Sequence, residues 1–168
     1  MKQNKLLIVE DDKRLRESLV VEFEDKGYEV FTSDSLKNIQ NEIYDYAIVD
    51  MRLDGKSGLV VVKHLKGISP LCRIVILTGY GSISTAVEAI KLGAVNYLTK
   101  PADVEKIENA LLGKHSESLE PEQPITLSQQ EHEYIEYVLT QNGGNITKTA
   151  KALGLHRQSL QRKLRKRP

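Results

Sequence analysis

The sequence predicts an α/β protein: a five-stranded parallel sheet, doubly wound with helices on both faces, followed by a small all-α unit. Three observations predict it. Short apolar runs alternate with amphipathic stretches through the first 112 residues. Those runs are apolar at successive positions, as in strands buried on both faces. The charge then changes sign near the C-terminus: residues 1–113 carry 15 Lys/Arg against 17 Asp/Glu, and residues 128–168 carry 8 against 3. The overall formal charge of +1 conceals that asymmetry, which marks a basic nucleic-acid module attached to a near-neutral domain.

Leu6-Leu7-Ile8-Val9 is the first buried run, and Leu15, Leu19 and Phe23 then recur at helical spacing until Gly27. Tyr28 to Phe31 is a strand and Leu36 to Glu42 a short helix. Tyr46 to Val49 is the next buried run. A polar, Gly-containing loop follows, then a helix across Leu59, Val62 and Leu65. Ile74 to Leu77, a helix from Ser82 to Leu92, Val95 to Leu98, and a helix from Ala102 to Leu112 complete five strand–helix units. Residues 1–112 form this domain. Residues 113–127, polar and broken by Pro121 and Pro124, read as a partly extended tether.

Residues 128–168 form the second domain. Ser128, with Glu131 three residues later, has the form of a capping box opening a helix whose apolar stripe is Tyr134, Ile135, Val138 and Leu139. Gly143-Gly144 ends that helix. Asn145 caps a second helix containing Ile146, Ala150 and Leu153; Gly154 supplies a turn; a third helix begins near His156 with Leu160 and Leu164 inside. From Thr147 onward there are eight Lys/Arg and no Asp/Glu.

A single cysteine, Cys72, excludes an intramolecular disulfide and a cysteine-built zinc site, and reads as a small residue at the start of a buried strand. No apolar run approaches membrane-spanning length, so the expected setting is cytoplasmic with no membrane partner.

In a parallel sheet, ligands bind beyond the carboxyl ends of the strands. Glu10-Asp11-Asp12 follows the first strand, Asp50 the third and Thr78 the fourth, while Lys100-Pro101 lies past the fifth. Carboxylates gathered at one place repel one another unless a cation sits among them, and a hard, oxygen-seeking ion such as Mg²⁺ suits them. A hydroxyl and an ammonium opposite suit the oxygens of a transferred phosphoryl group, which makes Asp50 a candidate nucleophile. Each feature alone has a plainer explanation: an acidic pair after a strand caps a helix, and Lys-Pro makes a tight turn. Four at the same end of one sheet favour the functional reading.

With IVEDDKRLRESL, YAIVDMRLDGKSG, IVILTGYGS and GAVNYLTKP in order, residues 1–112 resemble the receiver domain of two-component response regulators, a flavodoxin-like fold. The resemblance implies that Asp50 is the phosphoacceptor, receiving its phosphoryl group from a sensor histidine kinase. It further implies that Asp11, Asp50 and the backbone carbonyl of Arg52 bind Mg²⁺, with Glu10 acting through water. Thr78 and Lys100 would hold the phosphoryl oxygens, and Tyr97 would swing inward as Thr78 moves. Asp54 stands where the family often has proline; Asp54-Gly55 is itself a good turn pair. Receiver domains use the positions two residues beyond the aspartate and the threonine to admit or block the hydrolytic water, so the resemblance, with bulky Arg52 and Tyr80 there, implies slow autodephosphorylation.

The spacing of Asn145 to Arg165 fits a helix-turn-helix, whose second helix enters the major groove with its first turns at the base edges. His156, Arg157, Gln158, Gln161 and Arg162 are the candidate base or phosphate contacts, with Lys163 and Arg165 among the phosphate-positioning charges. The string ALGLHRQSLQRKLRKRP is similar to the Fis-type output domain of the RegA/PrrA/ActR group of response regulators. That resemblance implies control of redox or energy-metabolism genes. The basic helix-turn-helix itself points to double-stranded DNA as partner, and phosphorylation would either favour a homodimer, since one small unit binds weakly alone, or free the basic domain. The chain lacks that group's dense proline cluster in the linker and the tryptophan of the preceding helix. Such a protein takes up a phosphoryl group on Asp50 without being a dedicated enzyme. A haloacid-dehalogenase-type phosphatase would need Asp where Arg52 stands. The alternative is an architectural DNA-binding protein whose receiver acts independently of phosphorylation, and the complete Asp50, Thr78 and Lys100 set argues against it.

Overall fold

The computed structural model describes residues 3–53, 55–79, 83–114 and 127–165, and the chain divides into two compact units, Met1–Leu119 and Glu120–Pro168. In the first unit β1 (Lys5–Val9), β2 (Glu29–Ser33), β3 (Tyr46–Asp50), β6 (Arg73–Thr78) and β7 (Asn96–Thr99) form one parallel sheet in the order β2-β1-β3-β6-β7. A two-residue antiparallel ladder, β4 (Arg52–Leu53) with β5 (Lys56–Ser57), follows β3. The helices are α1 (Lys13–Asp25), α2 (Gly58–Ile68), α3 (Ile83–Lys91) and α4 (Val104–Leu112).

The continuous apolar runs are explained by two cores. Leu7, Val9, Ala47, Val49, Ile74 and Ile76 point to the side covered by α2 and α3, where Val61, Val62, Leu65 and Ala89 meet them. Leu6, Ile8, Ile48, Val75 and Leu77 point to the other side, against Leu19 and Phe23 of α1 and Ile107 and Leu111 of α4. Successive strand residues face opposite ways, so every position in a central strand must be apolar. Each such side chain contributes about 1.5–3 kcal/mol on burial.

One expected helix is missing. Between β2 and β3 the chain makes a single 3₁₀ turn, Leu36–Asn38, in place of a helix from Leu36 to Glu42. The segment competes with its own helix. Asn38 Nδ2 donates to Asp34 Oδ1 at 2.8 Å, Ser35 provides no side-chain cap, and Ile39 is already extended (φ −69°, ψ 123°). Phe31 and the fully buried Tyr44, edge to face at 5.5 Å, fill the space with Leu36 and Ile39 packed alongside. Elsewhere the boundaries move by a residue or two. β2 and β7 end one or two residues later than the apolar pattern suggests, and α4 begins after an Asp103 cap. Ser82, Tyr80 and Asp54 lie outside the described residues, as does most of the expected tether.

In the second unit α5 (Leu127–Gln141), α6 (Ile146–Ala152) and α7 (Arg157–Arg165) enclose a small core of Ile135, Ala150 and Leu160, with Ile146, Leu153, Leu155 and Leu164 packed against it. Asn145 caps α6, its Oδ1 accepting from the Lys148 amide at 3.0 Å. Gly154 adopts φ +66° at the turn, a conformation that favours glycine. The Ser128–Glu131 capping box is not formed. Ser128 lies inside α5, and Glu131 reaches across to α7, where it pairs with Lys163.

Gly58 is required by contact rather than by backbone angle. A Cβ built there would lie 2.1 Å from the Asp50 carbonyl oxygen, while the Gly58 amide donates to the Met51 carbonyl at 2.7 Å. Gly67, in the same helix, meets nothing within 4 Å. Gly58→Ala is expected to destabilise the protein by about 1–3 kcal/mol in urea unfolding, whereas Gly67→Ala changes stability by at most about 1 kcal/mol and in the favourable direction.

Candidate functional site

The sheet order sets the site. The chain runs outward from β1 to β2 and then returns to β3 on the other side of β1, so the connections leaving the paired ends of β1 and β3 turn opposite ways and leave a crevice between them. Glu10 and Asp11 leave β1 on one side of it, and Asp50 ends β3 on the other. Thr78 ends β6 and is buried; Lys100 follows β7, joined to Pro101 by a cis peptide, with its amide donating to the Thr78 carbonyl at 2.6 Å. The Met51 amide donates to the Leu77 carbonyl at 2.8 Å, tying the loop after Asp50 to β6. Glu10, Asp50 and Thr78 are therefore brought together from three strands.

Lys100 holds the carboxylates. Its ammonium lies 2.7 Å from Glu10 Oε2 and 3.0 Å from Asp50 Oδ1. Glu10 is 2 % exposed and Asp50 6 %, so neither can rely on water to carry its charge. Burial raises the Glu10 carboxyl to about 6, and the Asp50 charge adds to the shift while Lys100 opposes it. Burial also raises Asp50, again against the pull of Lys100. Desolvation alone would lower the Lys100 ammonium, but the two carboxylates outweigh it and hold it above its ordinary value.

One carboxylate oxygen each from Glu10, Asp11 and Asp50 lies within 4.8 Å of the others. Three hard oxygen donors, one of them on an exposed residue open to solvent, fit a divalent cation of the Mg²⁺ or Ca²⁺ kind. Asp12 has a different task. Its Oδ1 accepts from the Arg14 and Leu15 amides at 2.9 and 3.2 Å, capping α1. The plain helix-capping explanation of an acidic cluster thus applies to Asp12 and leaves Glu10 and Asp11 for the crevice.

Tyr97 sits on β7, partly buried against the α2–α3 side of the sheet, and Arg52 is exposed in the short ladder after Asp50. Arg16 was not anticipated. Its guanidinium, one turn into α1, donates to the Glu10 carbonyl and lies 3.4 Å from the Asp11 carbonyl. A basic residue one helical turn past an acidic loop is a weak signal in sequence, because the same spacing is common on solvated helix faces. Cys72 is buried, and burial pushes its thiol up to about 12, which makes it an inert packing residue.

In the second unit His156, Arg157, Gln158, Arg162 and Arg165 are exposed and Gln161 is partly so. Counting 100° per residue from the buried Leu160, Gln158, Arg162 and Arg165 lie on the outward side of α7, and Lys163 lies toward α5. There its ammonium meets Glu131 Oε1 at 2.7 Å. No helix among the described residues is long and apolar enough to cross a membrane.

A doubly wound sheet that buries an aspartate at its switch point, followed by a basic three-helix unit, defines a class, and comparison with known proteins agrees on both units. Residues 6–112 match the response regulator receiver domain, and residues 126–166 match the bacterial regulatory proteins of the Fis family. The chain belongs to the two-component response regulators that join a receiver to a Fis-type helix-turn-helix, and within them to the RegA/ActR type. It is 42% identical to the photosynthetic apparatus regulatory protein RegA of Cereibacter sphaeroides, over 96% of this chain and 91% of that protein. It is 38% identical to the acid tolerance regulatory protein ActR of Rhizobium meliloti, over 96% and 86%. Among solved structures, a response regulator from Burkholderia pseudomallei with a phosphorylated aspartic acid, calcium ion and citrate is 40% identical. It matches with a TM-score of 0.63 over 98% of this chain and 100% of that one.

The raised Glu10 carboxyl predicts how the site responds to pH. Above about pH 6 Glu10 is ionised and available to a cation; below it the carboxyl holds a proton that the cation must displace. Mg²⁺ affinity of the full chain, measured by isothermal titration, is expected to fall as pH is lowered through about 6 and to level off above it.

Proposed function

We propose that Asp50 is the phosphoacceptor of a switch whose output is DNA binding by residues 128–168. The observation that carries this reading is the buried Asp50 carboxylate, 3.0 Å from the Lys100 ammonium and grouped with Glu10 and Asp11. An Asp50 oxygen attacks the phosphorus of a phosphohistidine on a sensor kinase. The new O–P bond forms as the P–N bond breaks, and the imidazole keeps the electron pair. Glu10, Asp11, Asp50 and the backbone carbonyl of Arg52 are the residues to hold Mg²⁺, which when bound offsets the charge gathered on the phosphoryl oxygens. Lys100 is already placed to donate to a phosphoryl oxygen beside Asp50, and Thr78 supplies a hydroxyl from the neighbouring strand end. Exposed Arg52, with Tyr80, slows entry of the hydrolytic water. Substituting Asp50→Asn removes the nucleophile; phosphoryl uptake from a small-molecule donor such as acetyl phosphate is expected to vanish, and labelling at wild-type stoichiometry overturns the assignment.

The added charge draws Thr78 toward the phosphoryl group, and Tyr97 follows inward on its strand. Phosphorylation then favours a homodimer, since two small helix-turn-helix units on adjacent half-sites bind far more tightly than one. Regulators of this type carry names from photosynthesis and acid tolerance, and we assign this chain to redox or energy-metabolism genes. Its one cysteine is buried, and burial pushes the thiol up to about 12, so Cys72 is a poor candidate for a redox sensor in this chain.

On α7, the outward Gln158, Arg162 and Arg165 and the half-buried Gln161, with His156 and Arg157 at the helix start, are the DNA contacts. Lys163, paired with Glu131 across the gap, belongs to the α5–α7 junction. The two roles separate by salt dependence. Arg162→Ala should weaken DNA binding and reduce the slope of log K against log[salt] by about 1. Lys163→Ala should leave that slope within error of wild type in a fluorescence-anisotropy titration.

A further inference from the structure

The loop that delivers Glu10 and Asp11 to the crevice is three residues long and contains no glycine or proline. It is held from several directions. The Glu10 amide donates to the Ser33 carbonyl at 3.0 Å, the Asp12 amide donates to Glu10 Oε1 at 3.3 Å, and Asp12 caps α1. The carbonyls of Glu10 and Asp11, which end the sheet ladder and precede the helix, are met by one side chain: the Arg16 Nη1. Arg16 is itself only partly exposed and rides on α1, whose Leu19 and Phe23 are buried in the core. The two peptide planes are thereby referenced to a rigid helix. Rotation of either plane would swing the attached carboxylate, because Cα carries both.

We infer that Arg16 is a positioning residue for the divalent cation: it fixes the peptide planes of Glu10 and Asp11 so that their carboxylates converge with Asp50. The inference rests on reading Glu10, Asp11 and Asp50 as the cation site. Charge and geometry here predict opposite signs. As a nearby positive charge, Arg16 disfavours a cation, and its removal would raise affinity. As an outer partner that orients the ligand-bearing loop, its removal lowers affinity, typically by 10–100-fold.

The experiment is Mg²⁺ binding to the full chain by isothermal titration, with thermal unfolding of each metal-free variant alongside. Arg16→Met is expected to lower Mg²⁺ affinity by about tenfold or more. Arg16→Lys keeps the charge, but its ammonium ends one bond short of the guanidinium nitrogens, so it is expected to lower affinity by at least about threefold. Arg14→Met, which removes an equal charge from the exposed side of the same helix turn, should leave affinity unchanged or slightly raised. Wild-type affinity in Arg16→Lys, or a gain in Arg16→Met, overturns the inference in favour of charge alone. Should Arg16→Met fail to fold, Arg16→Lys against Arg14→Met decides the question. If wild type itself shows no Mg²⁺ binding that Asp50→Asn or Glu10→Gln weakens, the cation site has failed rather than the role of Arg16.

Discussion

The ammonium of Lys100, lodged between Glu10 and Asp50, is the interaction on which the receiver unit depends. Two carboxylates almost removed from water would each cost several kcal/mol if left alone, and their mutual repulsion adds to that. Lys100 compensates both from a single position, at 2.7 and 3.0 Å. The compensation is partial, since both carboxyls remain raised above their ordinary values. That residual shortage of positive charge suits a divalent cation, and the fixed ammonium is placed to offset any further negative charge gathered beside Asp50.

Everything around that pair keeps it in place. The parallel order β2-β1-β3-β6-β7 puts the ends of β1 and β3 side by side, and the Lys100 amide, bonded to the Thr78 carbonyl, ties β7 to β6. Gly58 lets α2 begin directly against the Asp50 carbonyl, closing the loop that follows Asp50. The chain economises elsewhere: the crossover between β2 and β3 shrinks to one 3₁₀ turn, with Phe31 and Tyr44 filling the volume a helix would occupy. The shortening lies on the connection to the sheet's outer strand, away from the loops that carry Asp50, Thr78 and Lys100.

The helix-turn-helix unit divides its basic charge between two tasks. Its core is small, with three buried apolar residues at the centre, so the junction between α5 and α7 benefits from the Glu131–Lys163 pair across it. The pair is substantially exposed and contributes about 0.2–1 kcal/mol. Its larger consequence is to turn Lys163 away from the outward face and leave Gln158, Arg162 and Arg165 there. A densely basic helix therefore presents fewer cations outward than its composition suggests.

Periodicity and composition determined the layout: continuous apolar runs mean strands covered on both faces, and the acidic, hydroxyl and lysine residues at their carboxyl ends marked where a candidate site would lie. The position of Asn145 before an apolar-periodic stretch, and of Gly154 in a turn, was likewise readable, because capping and positive φ are local constraints. The exceptions are of two kinds, close local competition and contacts between residues distant in sequence. The 3₁₀ turn at Leu36–Asn38 arose where local side-chain bonds to Asp34 beat a marginal helical pattern. Glu131 carried a capping signal, but α5 extends past Ser128 and Glu131 found a partner 32 residues away. Asp12 and Asp11 are adjacent acids; the family resemblance already pointed to Asp11 for the cation, and the folded loop adds that Asp12 caps α1. Arg16 and Gly58 were invisible for the same reason: a guanidinium under two carbonyls and a missing Cβ beside a third are facts of approach, and the chain's order does not encode approach until the sheet has closed.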